Sequence, residues 1–486
     1  MRLLLINPEQ TTDLSPFHPP SVTKVSGTFP PIGLAYIAAV AKSSGYDVSI
    51  YDLQIADKPI KSVIDLIGEK SPDIIGTGSM TFTFKNAVKV AEIIKDWFPE
   101  KPIIFGGPQT SAFPVESLER GCFDLGIYGE GEETIADLLE YYDERGTFPE
   151  DLKGTIVKKD GEIRVNPPRD WISELDKIPF PARELLENGR YEPVFAKKPF
   201  TTMITSRGCP YRCTFCALGY FGSKIRARSA ENVVDEMELC VKDYGIKDIM
   251  VYDDTFGVNK KRVLAICSEK IERGLFVNWN VRTRVDRTDE EILLALKKSG
   301  CDKIHMGIES ASQEILDKMK KDITIDQVKK AFHAAKKIGI DTVGYFMIGY
   351  PGDTLKTIND TINFSTKLGL SWADFSITTP APLTELNKIA VECGYLEKDY
   401  WQKYVQGEKV KHLPYYTTNE FDEGKLQKLI GKAYRHFYLR PSFILKRLTT
   451  TDSLKSLINS VKGFFSLIRI FISFFLSLFN LSNFSS

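Results

Sequence analysis

The sequence predicts an α/β chain in five parts. A Rossmann-like amino-terminal domain spans 1–145, a linker 146–195, a partial (β/α)6 barrel 196–388, a helical cap 389–450 and an apolar amphipathic tail 451–486. Two observations carry this prediction. Short apolar runs alternate with helical patterns in two successive series, which means βαβ units and parallel sheets covered on both faces. Between the series, GTFPEDLKG, NPPRDW and IPFPAR are rich in proline and charge, as connectors are.

In the first series, strands are expected at LLLIN (3–7), DVSIYD (47–52), DIIGTGS (73–79), PIIFGG (102–107) and FDLGIYG (123–129). Helices are expected near 32–44, 58–70, 84–97 and 133–143. Several strands run into glycine-rich turns: GTGSM at 76–80, GGPQ at 106–109 and GEGEE at 129–133. Ligands of open α/β sheets lie over the carboxyl ends of strands, where such turns let a cofactor approach the backbone. The glutamates of GEGEE also complement the start of a helix.

The second series has strand candidates at FTTMITS (200–206), DIMVYDD (248–254), VNWNVRTR (277–284), KIHMGIES (303–310), DTVGYFMIGYPG (341–352) and DFSITTP (374–380). Helical patterns near 229–243, 259–272, 288–299, 312–319, 325–338 and 354–368 separate them. Six repeats predict a parallel barrel smaller than the eight-fold one, with functional groups gathered where strands end. Residues 390–450 read as mostly helical and carry several aromatics.

The totals narrow the function. Lysine plus arginine and aspartate plus glutamate both number 64, so no global field draws the chain to nucleic acid. Hydrophobic content of 43% and charged content of 26% suit a soluble enzyme. Eight cysteines, clustered once and otherwise scattered, fit a reducing cytoplasm better than a secreted disulfide scaffold. The opening MRLLLINPEQ reads as a strand and turn rather than a signal peptide.

The cluster is RGCPYRCTFCALG (207–219), with Cys209, Cys213 and Cys216 in C-x₃-C-x₂-C spacing after the first strand of the second series. Three thiolates can each hold one corner of a cubane iron–sulfur cluster, and the fourth iron keeps an open position. Zinc is the alternative. It wants four ligands, and none of the histidines at 18, 305, 333, 412 and 436 is near in sequence. Cys240 is a candidate fourth thiol but falls on a helical pattern, and Cys267, Cys301 and Cys393 read as small core residues.

With Phe215 before the third cysteine, the motif resembles the C-x₃-C-x-aromatic-C hallmark of the radical SAM superfamily. The resemblance covers about 200–385 and includes YDDTFGVNKKRV, NVRTRVD, MGIES and FMIGYPGDT. It implies a [4Fe–4S] cluster whose free iron is chelated by S-adenosylmethionine. One-electron cleavage of that molecule yields a 5′-deoxyadenosyl radical that takes hydrogen from substrate. It further implies that Glu309 and Ser310 meet the ribose or methionine part, that Arg282 and Arg284 pair with its carboxylate, and that Asp253 serves the same ligand or the substrate. The competing reading is an ion network tying strands together. Gly349 would shape a turn against the adenine.

LLINPE, PPIGLAYIAAVAKSSGYDVSIYD, GTGSMTFTFKNA, IIFGGPQTSAFPVE and FDLGIYGEGEET are similar to the cobalamin-binding domain that precedes the radical domain in one subgroup of that superfamily. The resemblance places cobalamin against Gly76, Gly78, Ser79, Gly106, Gly107, Gln109, Gly129, Glu130 and Gly131. The loop NPEQTTDLSPFHPP lacks the aspartate-x-histidine-x-x-glycine motif of domains that ligate cobalt, so cobalamin without a protein histidine ligand is expected. Gln109 stands where many relatives have histidine. Only Cys122 lies in this domain, too few thiols for the second cluster of a tRNA methylthiotransferase.

In KSLINSVKGFFSLIRIFISFFLSLFNLSN (455–483), polar residues recur every three or four positions. Such a narrow polar stripe predicts an interfacial helix on a membrane surface, with packing on the protein's own cap or a partner subunit as the alternative. The expected activity is a cobalamin-dependent radical C-methyltransferase acting on a small-molecule or lipid-like substrate. Its electron donor would be a reductase, ferredoxin or flavodoxin, and its location the cytoplasm, peripheral on the inner membrane face. Two alternatives stand beside it: an oxidative cyclase without methyl transfer, and a non-enzymatic cobalamin or redox sensor.

Overall fold

The computed structural model describes residues 1–10, 27–57, 59–193, 196–217, 220–408, 410, 418 and 420–449. His18 and the stretch 455–483 lie outside them. Strands β1 (Arg2–Asn7), β2 (Asp47–Asp52), β3 (Ile74–Gly78), β4 (Ile103–Gly106) and β5 (Leu125–Ile127) pair in parallel in the order β2-β1-β3-β4-β5. Alternate residues of β1 explain the two covering layers. Leu3 and Leu5 join the core of helices Ile32–Ser43 and Glu132–Arg145, whereas Leu4 and Ile6 join that of Pro59–Lys70 and Phe84–Trp97. The order reverses between β1 and β3, which opens a crevice at their carboxyl ends.

The linker contributes to this sheet. Strands β6 (Thr155–Lys159) and β7 (Glu162–Val165) form a hairpin that adds antiparallel to β5. Two buried polar ties then fasten the rest of the connector. Asp52 accepts from Asn7 Nδ2 at 2.8 Å and from the Tyr191 hydroxyl at 3.0 Å. Arg183 pairs with Glu236 at 2.6 Å, both side chains fully buried, so neither charge is left without a counter-ion.

In the second series, β8 (Phe200–Met203) is followed by a short antiparallel pair, β9 (Ser206–Arg207) and β10 (Arg226–Ala227). Then come β11 (Asp248–Val251), β12 (Asn278–Arg284), β13 (Cys301–Glu309), β14 (Asp341–Ile348) and β15 (Trp372–Ile377). Six strands make one all-parallel sheet in the order β15-β14-β13-β12-β11-β8, a curled partial barrel. The helices between them start where the sequence places side-chain caps. Thr324 and Gln327 form a capping box at the start of Ile325–Ile338, which ends at the left-handed Gly339. Ile304, Met306 and Ile308 face the helical layer, leaving the alternate positions of β12–β14 to line the inner face.

Helices Tyr400–Gln406 and Glu423–Tyr438 form the cap. The Tyr434 hydroxyl donates to Asp374 on β15 at 2.6 Å. Tyr404 donates to the Phe82 carbonyl at 3.1 Å, and Arg120 to the Gln406 carbonyl at 2.7 Å, so the cap also grips the first domain. Among the described residues, no helix is long and apolar enough to cross a membrane.

Candidate active site

The cysteine loop leaves β9 through Gly208, at φ +86, where an added Cβ would collide with the Lys224 carbonyl. Only glycine fits there. The loop is pinned on three sides. Cys209 N donates to the Gly222 carbonyl at 3.3 Å, and Thr214 N to the Met319 carbonyl at 3.0 Å. The Thr214 and Tyr350 hydroxyls meet at 2.6 Å, and Tyr350 also donates to the Lys318 carbonyl.

Cys209 Sγ lies 3.5 Å from the Thr255 hydroxyl, and Arg284 Nη1 lies 3.8 Å from Cys213 Sγ. Burial raises the Cys213 thiol, while Lys321 and Arg284 oppose that rise. Cys216 is open to solvent on one side, yet desolvation first and then the Cys213 and Cys209 sulfurs raise its thiol. A thiol held up by burial and by neighbouring sulfurs is favoured as a thiolate beside a cationic centre. Among the described residues, no three His, Cys, Asp or Glu side chains converge as a single-ion cage. Cys240 is no fourth ligand, because it is buried in the helix Ala230–Tyr244 among Arg183, Glu236 and Arg228.

Around the triplet, the expected cofactor residues divide into several roles. Arg284 stacks on Tyr211 at 3.7 Å and donates to Asp286 at 2.9 Å and to the Lys321 carbonyl. Glu309, at φ +66, pairs with Lys321 at 2.8 Å, and the Lys321 ammonium lies 5.7 Å from the Phe215 ring. Ser310 Oγ accepts from Ser312 N at 3.1 Å and lies 3.4 Å from Thr361 Oγ1. Asp253 commits both oxygens to the backbone N–H and hydroxyl groups of Thr205 and Ser206, at 2.6–3.0 Å, which makes it a brace for the loop. Gly349, at φ +82, packs against Leu426 of the cap, and Gly349 N and Tyr350 N donate to Asp353.

A cavity of about 750 Å³ lies where the two sheets face each other. Gly76, Gly78, Ser79, Gly106, Gly107, Gly129, Glu130 and Gly131 line it from the first domain, with Thr77, Met80 and Ser111. Ile204, Arg207, Tyr220, Phe221 and Tyr252 line it from the barrel side. Two glycines create its flat floor. A Cβ on Gly78 would stand 2.9 Å from the Gly106 carbonyl, and Gly107, at φ +94, faces Ser79 O at 3.1 Å. The buried hydroxyls of Thr77 and Ser79 have no protein partner, an arrangement expected of groups waiting for a ligand's polar rim. The cavity therefore fits a large ring with polar side chains, and no histidine lines it among the described residues.

Gln109 is placed elsewhere. It is fully buried and donates to Ser117 Oγ at 3.2 Å, away from the cavity wall. Several wall and loop residues are not singled out by the sequence: Phe221 and Lys321 lie outside the quoted motifs, and Arg207, Tyr211 and Tyr252 lie within them without an assigned role. Arg207 is the most consequential. It pairs with Glu130 at 2.8 Å and with Glu132, while Arg226 reaches Glu130 at 2.7 Å, all buried.

Two family models match the chain: the radical SAM superfamily over 203–365 and the B12 binding domain over 20–139. The chain is 35% identical over 449 residues to an uncharacterized methyltransferase of Pyrococcus horikoshii, covering 92% of this chain and 94% of that one. It is 28% identical to the anaerobic magnesium-protoporphyrin IX monomethyl ester cyclase of Rubrivivax gelatinosus, over 96% of this chain and 82% of that one. Its fold matches the radical S-adenosylmethionine methyltransferase TsrM of Kitasatospora setae, solved with cobalamin and a [4Fe–4S] cluster. The TM-score is 0.67 at 21% identity, over 81% of this chain and 78% of that one. With both domains in order and this identity along nearly its whole length, the protein belongs to the cobalamin-dependent methyltransferase family of the radical SAM superfamily.

Proposed function

We propose that the protein transfers a methyl group to an unactivated carbon of a small or lipid-like molecule held between the Rossmann-like domain and the barrel. One observation carries this reading: the lining of the 750 Å³ cavity includes Arg207, two residues before the first cysteine of the triplet. When bound, the cluster with S-adenosylmethionine supplies one-electron hydrogen abstraction, and cobalamin supplies the methyl group.

The chain's own residues bind, orient and shield. Cys209, Cys213 and Cys216 would hold the cluster, with Arg284 and Lys321 offsetting thiolate charge at Cys213. Glu309, beside Lys321, presents a carboxylate for the amino group of S-adenosylmethionine. Gly78 and Gly107 admit a flat macrocycle, and Thr77 and Ser79 offer hydroxyls to its rim. Phe221 and Tyr252 close the barrel side against water.

The test uses the full chain, purified without oxygen and reconstituted. Iron, sulfide and cobalamin are measured first, then the products from methyl-labelled S-adenosylmethionine in an anaerobic extract of small molecules. S-adenosylhomocysteine, 5′-deoxyadenosine and a labelled product together are expected. Deoxyadenosine with an unlabelled, cyclised product would favour ring formation instead, the reading supported by similarity to the Rubrivivax cyclase over 96% of this chain. Neither nucleoside product would sink both.

The electron would come from a reductase, ferredoxin or flavodoxin in the cytoplasm. The stripe pattern of 455–483 supports peripheral contact with a membrane surface. Deleting 452–486 should move the protein from the membrane fraction to the soluble one, and unchanged partitioning would exclude that contact.

A further inference from the structure

Most buried or half-buried arginines around the active site are matched to an anion, and Arg262 donates to the Arg228 and Thr205 carbonyls. Arg207 and Arg226 meet Glu130, Arg183 and Arg228 meet Glu236, and Arg284 meets Asp286. Arg282 makes neither an ion pair nor a hydrogen bond with the described residues. Its guanidinium carbon lies 3.7 Å from the centroid of the Tyr252 ring, and Tyr252 lines the large cavity. A half-buried guanidinium with five donors and no acceptor is an incomplete site.

The surroundings keep it so. Arg282 and Arg284 share the inner face of β12, one two-residue step of about 7 Å apart. Arg284 is the one beside Cys213. Arg282 lies one step back along β12, next to His305 of β13 and Tyr345 of β14, whose Nδ1 and hydroxyl meet at 2.8 Å. Burial first, then Arg282, holds His305 down to about 3, so it brings no competing positive charge. The carboxylates that reach this region are engaged: Asp374 with the Tyr434 hydroxyl at 2.6 Å, Glu309 with Lys321 at 2.8 Å.

We propose that Arg282, laid on Tyr252, is the specificity-determining group of the substrate pocket, and that the substrate class bears an oxyanion, a carboxylate or a phosphate. This rests on the reading that substrate lies between the first domain and the barrel. The planar fork matches either oxyanion bidentately, and the ring beneath fixes its orientation. Arg282 thereby serves the substrate and not the carboxylate of S-adenosylmethionine, whose place is beside the cysteine triplet.

The test uses anaerobically reconstituted full-length protein and the arginine reagent phenylglyoxal, with adducts located by peptide fragmentation. Benzoate and inorganic phosphate are the probes, and benzamide is the uncharged control. Arg282 should label, and saturating benzoate or phosphate should slow its labelling at least tenfold, in the presence or absence of S-adenosylmethionine. Benzamide should leave the rate unchanged. In equilibrium dialysis with labelled benzoate, Arg282→Gln should weaken binding more than tenfold and Arg282→Lys should restore part of it.

Protection by S-adenosylmethionine alone would assign the oxyanion to that molecule and overturn the proposal. Equal rates with and without both anions would overturn it too. Loss of cluster-dependent cleavage of S-adenosylmethionine in the unmodified protein would instead sink the enzymatic reading, whatever the labelling shows.

Discussion

Arg207 of the barrel domain and Glu130 of the first domain form a buried 2.8 Å ion pair, 77 residues apart in sequence and two residues from Cys209. Glu130 is also the acceptor for Arg226 and for the Ile172 backbone N–H. The turn that walls the cavity and the strand that launches the cysteine loop are thus one electrostatic unit. Glu130→Gln should leave Arg226 without a carboxylate and Arg207 with Glu132 alone, and cost about 3–5 kcal/mol of stability. Denaturant unfolding would measure that loss, and iron content per chain should fall with it. An unchanged unfolding midpoint would show that the pair carries no such coupling.

Cys213→Ala should abolish cluster assembly and cleavage of S-adenosylmethionine while the chain stays folded. The side chain is small and its loop is held independently by Thr214, Cys209 N and Gly208. Circular dichroism and iron analysis on the same preparation would separate the two effects. Retained cleavage would remove the thiol from the site.

Gly107→Ala places a Cβ at φ +94 and 3.1 Å from the Ser79 carbonyl. Backbone strain of about 1–3 kcal/mol and a raised cavity floor should together reduce cobalamin retention at least tenfold. Absorbance of the purified protein after cobalamin loading reports this directly. Wild-type occupancy would mean that the ring does not rest on this floor.

Asp248 is buried in β11, and burial, then the neighbouring Asp302, push its carboxyl up to about 6 from an ordinary value of 3.8. A raised carboxyl makes the folded state bind more protons than the unfolded one between those values. Stability from this group is therefore greatest below pH 4 and declines as pH rises through 6, by about 3 kcal/mol in all. Asp248→Asn keeps an acceptor for Lys197 N, which donates at 3.0 Å, and should flatten that decline. Unfolding midpoints at pH 4.5 and 7 for both proteins supply the check.

Much of the scaffold was legible because each element has one dominant period. In β1, Leu3 and Leu5 alternate with Leu4 and Ile6, and in Ile325–Ile338 the apolar stripe and Thr324 cap mark both face and start. The β6–β7 hairpin hid in the connector because TIVKKDGEIRV mixes charge into most exposed positions and so resembles solvated chain. Cys209, Cys213 and Cys216 declared themselves through spacing, and the glycine-rich turns through their place after strands. Asp253 and Gln109 illustrate the opposite limit. Each has a residue type suited to a cofactor, but Asp253 faces Thr205 and Ser206, and Gln109 turns inward to Ser117. Partners such as Glu130 and Arg207 belong to separate domains, and no local pattern joins them.

The β6–β7 hairpin also sets how the molecule meets its neighbours during synthesis. It takes up the free rim of β5, and the new rim, Glu162–Val165, exposes Glu162 and Arg164 along a ladder only four residues long. A nascent sheet ending in β5 would offer unpaired N–H and carbonyl groups to any passing chain. Short charged trim of this kind discourages strand-to-strand clumping before the barrel has been made.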